Sequence, residues 1–372
     1  MYLKMKGKNN TGIPILYYHS IANHEQVTPW SFLSVSIAVF KAQIDYLKRH
    51  HFQSCTWKEL DQHIMGLNPL PERTVMFHFD DGFLDNWSVV FPIMKEAGFT
   101  YSIVVTPDFI EDGPIRPFVT ETTLSNVSDW WGYLNRNEIQ FMSNSGLVDF
   151  QAHGFTHTWY EASDELIDVY DGVKLYPHLG WNLFPEKKPK WLQTSLNVPM
   201  GYPVFEYKKS LELRQRFIPD PDFIEQAITL FDASQSQAER LAVLKQLKSK
   251  FTSIGRYETE EEQVLRLKNE LESTRLFISE IIQKPVEYLV FPGGGSSPQV
   301  LEAAKKAGYL LVSKGTQLNT FGSQLFQVSR YSAVYLFPKP IQVVANIYFL
   351  RLQIARAKGN RWVQLLFKIL KR

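Results

Sequence analysis

Along this chain, short apolar runs alternate with longer stretches in which apolar residues recur every three or four positions. Ile13–Tyr18, Thr74–Phe79, Tyr101–Val105, Leu147–Ala152, Glu287–Phe291 and Tyr309–Ser313 each read as a strand. Phe40–His50, Val89–Ala97, Glu260–Ile282 and Ser297–Ala307 carry the helical period, and Gly98 and Gly308 supply C-caps. Near-continuous apolar runs suit strands buried on both faces. Their alternation with helices predicts an α/β fold with mostly parallel strands.

Residues 159–259 break the rhythm. They are rich in Pro, Trp, Tyr and Lys, as in WNLFPEKKPKW, with one helix expected around Gln235–Phe251. The segment reads as an insertion within a catalytic domain spanning 1–340, placed to form a lid or a substrate wall. After Glu302 the chain has no Asp or Glu, while Lys and Arg continue to the end. In residues 341–372, Trp362, Leu365, Leu366, Ile369 and Leu370 fall on one helical face between Arg361, Lys368, Lys371 and Arg372. That pattern predicts a basic amphipathic tail, suited to peripheral contact with an anionic membrane.

Composition narrows the classes. A net charge of +2 gives no footing for nucleic-acid binding. The single cysteine, Cys55, excludes an intramolecular disulfide or a CxxC metal site and reads as packing. The 14% aromatic content favours sugar rings slightly. The first residues, MYLKMKGKNNTG, lack the apolar stretch of a secretory signal, and no run of about 18 apolar residues could cross a bilayer. The expected location is cytoplasmic, peripheral on the inner face of the membrane.

The chemistry-bearing residues fall where the strands end. His19 follows the first strand, Asp80 and Asp81 the second, His153 and His157 the fourth, and FPGGGS the fifth. The carboxyl rim of parallel strands is where α/β active sites are assembled. His153 and His157 would face the same way on one helical turn and suit a divalent metal. Two histidines and a carboxylate leave a coordination position open. The second carboxylate of the Asp pair is then free as a general base. Away from these, His78 reads as a core histidine, and His50 and His51 as helix-end residues. Asp85 and Asn86 read as first-turn residues of the next helix, while Trp130, Trp131 and Trp159 are candidates to line a sugar cleft.

FDDGF at Phe79–Phe83, HGFTH at His153–His157 and FPGGGS before a helix ending AAKKAGY resemble the polysaccharide deacetylase family (NodB homology, carbohydrate esterase family 4). PILYYHSI and FKAQIDYLKRHHF are similar to its permuted poly-N-acetylglucosamine deacetylase branch. The resemblance implies a distorted (β/α)7-type barrel, here with the large insertion and the helical tail. It implies a metal-dependent hydrolase of linear amides, removing an N-acetyl group from an amino sugar of a glycan or glycan precursor; the basic tail and the lack of a signal segment point to a lipid-linked or nucleotide-linked precursor. Asp80 would be the base, and Asp81, His153 and His157 the ligands of a divalent metal, usually Zn2+. His19 would be the general acid, and Gly293 after Pro292 an oxyanion donor. Two departures stand out: Val290 occupies the place of an Arg, and Gly293 that of an aromatic. Arg330, in QVSRYS, is the candidate to steer the Asp pair instead. A deformylase, an O-acyl esterase and a non-catalytic metal-containing carbohydrate binder are the alternatives.

Overall fold

The computed structural model describes residues 11–22, 31–118, 131–194, 196–212 and 215–370; Trp130, Lys371 and Arg372 lie outside them. Seven parallel strands form its centre: β1 Ile15–Tyr18, β2 Thr74–Phe79, β3 Tyr101–Val105, β4 Val148–Ala152, β5 Tyr288–Leu289, β6 Leu311–Val312 and β7 Arg330–Ser332. Their order is β6-β5-β4-β3-β2-β1-β7. Gln327, just before β7, bridges in parallel to Val312 of β6, so the sheet curls into a nearly closed barrel.

All six residues of β2 are buried, as a strand covered on both faces requires. Alternation separates the two cores. Val75, Phe77 and Phe79 pack outward beneath the surrounding helices. Met76 points into the barrel with Ile15, Val104, Tyr288, Val290 and Leu311. Trp57 reaches this interior, stacking on Tyr288 and meeting the edge of His78 at 5.6 Å.

Several helices differ locally from the periodic pattern. The Glu260–Ile282 helix runs through, but a π turn at Asn269–Ser273 divides it. A second π turn, Asn86–Val90, precedes the helix Phe91–Ala97, which ends at left-handed Gly98 as expected. Residues 159–259 hold an antiparallel ribbon, Trp159–Val169 against Pro203–Lys209. Helices including Pro177–Leu183, Pro221–Thr229 and Gln237–Lys248 accompany it. Leu166, Phe205, Phe217, Phe223 and Leu244 give this segment a core of its own.

Residues 341–372 divide in two. With α1 as Ile37–Arg49, α2 (Gln342–Ala357) docks on the body through buried Leu350, Ile354 and Ala357, and Gln43 of α1 donates to the Asn346 carbonyl. By contrast α3 (Arg361–Leu370) leaves Trp362, Leu365, Leu366 and Ile369 exposed. No helix among the described residues is long and apolar enough to cross a membrane.

Candidate metal centre

Two carboxylates adjacent in sequence would normally compete for one environment. The backbone separates them. Asp80 continues the strand, its N–H donating to the Tyr18 carbonyl, whereas Asp81 turns left-handed at φ +72° and Gly82 follows at φ +69°. Asp tolerates this conformation better than most residues. Gly82 is required, because a Cβ there would lie 2.8 Å from Val105. The turn sends Asp80 toward β1 and β7, and Asp81 toward the end of β4.

At the end of β4, Asp81 meets both histidines. Its Oδ1 is 3.1 Å from His153 Nε2 and 3.2 Å from His157 Nε2, and one ligand atom from each residue lies within 4.8 Å of the others. The expected helical turn is absent. His153–His157 is a loop with Gly154 at φ +77° and His157 at φ +48°, and these left-handed positions, rather than an i,i+4 helix face, bring the rings together.

His153 Nδ1 lies 2.8 Å from the Val290 carbonyl, which can only accept, so the ring proton sits on Nδ1 and Nε2 keeps its lone pair. That lone pair faces Asp81 Oδ1, a buried oxygen with no hydrogen-bond partner. Two unshared pairs this close call for a cation between them. The donor set therefore fits a divalent metal with a coordination position to spare.

Asp80 has a separate set of partners. Arg330 donates to its Oδ1 at 2.7 Å, and the Nε2 of His19 lies 3.7 Å from its Oδ2. Arg330 also donates to His78 Nδ1 at 3.1 Å, and His78 Nδ1 is 3.9 Å from Asp80. Burial opposes ionisation of Asp80, yet Arg330 and then His19 keep its carboxyl below the ordinary range. Burial and the Arg330 charge push the His78 ring well down, so it stays neutral. Reading His78 as a mere core histidine was too narrow: it is fully buried, but it stands directly behind the Asp80–Arg330 pair.

Asp85 and Asn86 stand at the start of the next helix, as expected, and both are buried. Asn86 Nδ2 donates to the His19 carbonyl at 2.9 Å, and Ser20 donates to Asp85 at 2.5 Å, so the π turn fixes the His19 backbone. Spacing alone could not reveal this, because it depends on a π turn.

A cleft of about 200 Å³ opens over His19, Asp81, His153 and His157, walled by Phe83, Phe109, Tyr133, Trp159, Trp181 and Trp191. Asp80 is not on the lining; it is buried next to His19. Trp159 is on it as expected; Trp131 is not, and packs half-buried against the neighbouring aromatic cluster. Pro292 and Gly293 complete the rim. Gly293 is left-handed, and Lys209 donates to its carbonyl at 2.7 Å, its stem filling the space a side chain there would need.

Residues 67–173, which include Asp80, Asp81, His153 and His157, match the sequence model of the polysaccharide deacetylase family. YxkH of Bacillus subtilis (strain 168), named for polysaccharide deacetylation, is 29% identical over 147 residues, 40% of this chain and 50% of YxkH. The poly-β-1,6-N-acetyl-D-glucosamine N-deacetylase of Staphylococcus epidermidis is 26% identical over 160 residues, again 40% and 50%. The chain thus spans about half the length of these curated relatives. Among solved structures, a de-N-acetylase from Aggregatibacter actinomycetemcomitans superposes with TM-score 0.55 at 16% identity, covering 90% of this chain and 99% of that one. The BpsB deacetylase domain of Bordetella bronchiseptica gives 0.51 at 14% identity, covering 88% and 97%. Those superpositions establish the fold, a deacetylase-type (β/α) barrel.

Proposed function

We propose that this chain, a member of the polysaccharide deacetylase family, is an N-deacetylase acting on an N-acetylated amino-sugar glycan of the poly-N-acetylglucosamine kind. One observation carries the reading. Asp81, His153 and His157 converge as a metal-type donor set, with Asp80 and His19 paired beside them. When bound there, a divalent ion, for which zinc is the first choice, supplies Lewis acidity toward the acyl oxygen and lowers the pKa of water.

The chain's own residues handle the protons. Arg330, which contacts both Asp80 and the neutral His78, holds Asp80 ionised and oriented, ready to take the proton of the attacking water. His19, its carbonyl anchored by Asn86, gives a proton to the amine nitrogen as the C–N bond breaks, leaving acetate and a free amino sugar. The aromatic walls hold the sugar and the acetyl methyl and limit competing water. In this reading Gly293 contributes an oxyanion donor from the rim.

The test is acetate release from poly-β-1,6-N-acetylglucosamine oligomers by zinc-loaded protein. Release should stop in Asp80→Asn, with bound metal unchanged. No release by the loaded wild type would end the reading.

A peripheral place on the cytoplasmic face of the membrane belongs to the same proposal, as does a lipid-linked form of the substrate. Support comes from α3, whose Trp362 is 82% exposed beside Arg361 and Lys368. Removing residues 361–372 should abolish sedimentation with phosphatidylglycerol vesicles, while α2 stays docked. Undiminished sedimentation would exclude α3 as the anchor.

A further inference from the structure

We propose that Lys188 and Glu270 are positioning residues for the metal-binding loop, so that the 159–259 segment is built into the metal centre as well as roofing the cleft. The inference rests on the metal reading above. The loop between the two histidines has no regular structure, and His157 sits left-handed at a cost of about 1–2 kcal/mol. Something must hold it in that form.

Every polar backbone group of Phe155 and Thr156 is taken by a distant part of the chain. Glu270 Oε2 accepts from Phe155 N–H at 2.8 Å and from Thr156 N–H at 3.2 Å, and Oε1 accepts from the Thr156 hydroxyl. On the carbonyl side, Asp108 N–H donates to Phe155 at 3.1 Å, and Lys188 Nζ donates to Thr156. The same ammonium pairs with Asp108 Oδ2 at 2.9 Å. Three separate segments therefore grip two residues.

Both charged groups are placed at a cost that packing alone does not explain. Lys188 and Glu270 are each only 1% exposed. Lys188 sits among aromatic faces, its Nζ 5.5 Å from the Phe109 ring centroid and 5.6 Å from that of Trp181. Burial drives its ammonium below the usual value, and Asp108 only partly restores it. Glu270 lies in the π turn Asn269–Ser273, and such turns recur at functional sites. Neither residue lines the cleft, so neither touches substrate; each acts through the loop. Lys188 ties the loop to Phe109 and Trp181, two of the cleft walls, and thereby links metal geometry to the roof.

The experiment measures zinc affinity of the full chain by competition with a chromogenic chelator, beside thermal unfolding. The variants are Lys188→Met, Glu270→Gln and, as control, the exposed neighbour Lys187→Met. Lys188→Met and Glu270→Gln should weaken zinc binding about 10- to 100-fold, as loss of a ligand's supporting hydrogen bonds does elsewhere; Lys187→Met should not. A staple that served stability alone would lower the melting temperature and leave zinc affinity at the wild-type value. That result overturns the inference while leaving the metal site standing. A wild-type chain that takes up no metal overturns both. Should Lys188→Met fail to fold, the nearly isosteric Glu270→Gln decides the matter by the same criterion.

Discussion

The barrel and the 159–259 segment meet at one cleft and are built on opposite principles. The barrel holds its donors on the ends of short parallel strands that are apolar on both faces, so the side chains just past β1, β2 and β4 inherit a rigid frame. The segment is an antiparallel ribbon with helices around a separate core, and it meets the barrel through Trp181, Trp191 and Leu192. Its contributions to the site are mostly aromatic surface, with one buried cation, Lys188. Reactive groups thus come from the stiff half, while the added half supplies the tryptophan walls of the cleft, Trp159, Trp181 and Trp191. The two halves should fail in different ways when damaged.

The largest effects belong to the barrel. His157→Ala removes one of three donors, and metal content measured on the purified chain should fall from about one ion to near zero. Asp80→Asn should retain the metal but lower the deacetylation kcat by about 10²- to 10⁴-fold, the usual worth of a general base. If Asp80→Asn also lost its metal, the separation of the two carboxylates by the Asp81 turn would be wrong. Damage on the other side should look different. Trp181 is 2% exposed beneath the roof, so Trp181→Ala should cost about 3–5 kcal/mol. Guanidinium unfolding would read that cost, and KM should rise more than kcat falls. A normal KM in a destabilised variant would reduce the roof to packing.

That asymmetry also decides what the sequence could reveal. The barrel strands were legible because burial on both faces writes a run of apolar residues into the chain. The residues past their ends then stood out as polar exceptions. His153 and His157 were found by spacing, though for the wrong geometric reason, since a loop with two left-handed residues does the work of the expected helical turn. Partnerships across the barrel were harder to see. Arg330 was named from the sequence as the residue to steer the Asp pair and does hold Asp80, yet the two are 250 positions apart, and only the β1–β7 and β1–β2 pairings place them side by side. Asp85, Asn86 and Glu270 stayed hidden because each is in or beside a π turn, and local periodicity gives no sign of the extra residue. Lys188 sits in a lysine-rich stretch, EKKPK, that reads as solvated surface, although its own side chain is buried. Charged residues are assigned to water by default, and these exceptions required tertiary partners.

The smallest effect concerns the cost to the barrel of fixing His19. Asp85 is 1% exposed, and burial raises its carboxyl to about 6 despite the Ser20, Ile21 and Asn86 hydrogen bonds. Because the folded-state pKa lies above the unfolded one, the folded chain binds this proton more tightly. The associated stability is present at low pH and is lost as pH rises through 6. For this group alone the loss between pH 4.5 and pH 8 should be on the order of 2 kcal/mol. Asp85→Asn keeps an acceptor for Ser20 and cannot ionise, so the difference in unfolding free energy between variant and wild type should shift in the variant's favour by that amount across the interval. Parallel pH profiles for the two proteins would mean that folding leaves the Asp85 carboxyl at its unfolded pKa, so that it is ionised in the folded barrel at neutral pH. The hydrogen bonds from Ser20 and Asn86 would then fully offset burial, and the barrel would fix His19 over a buried charge at no cost.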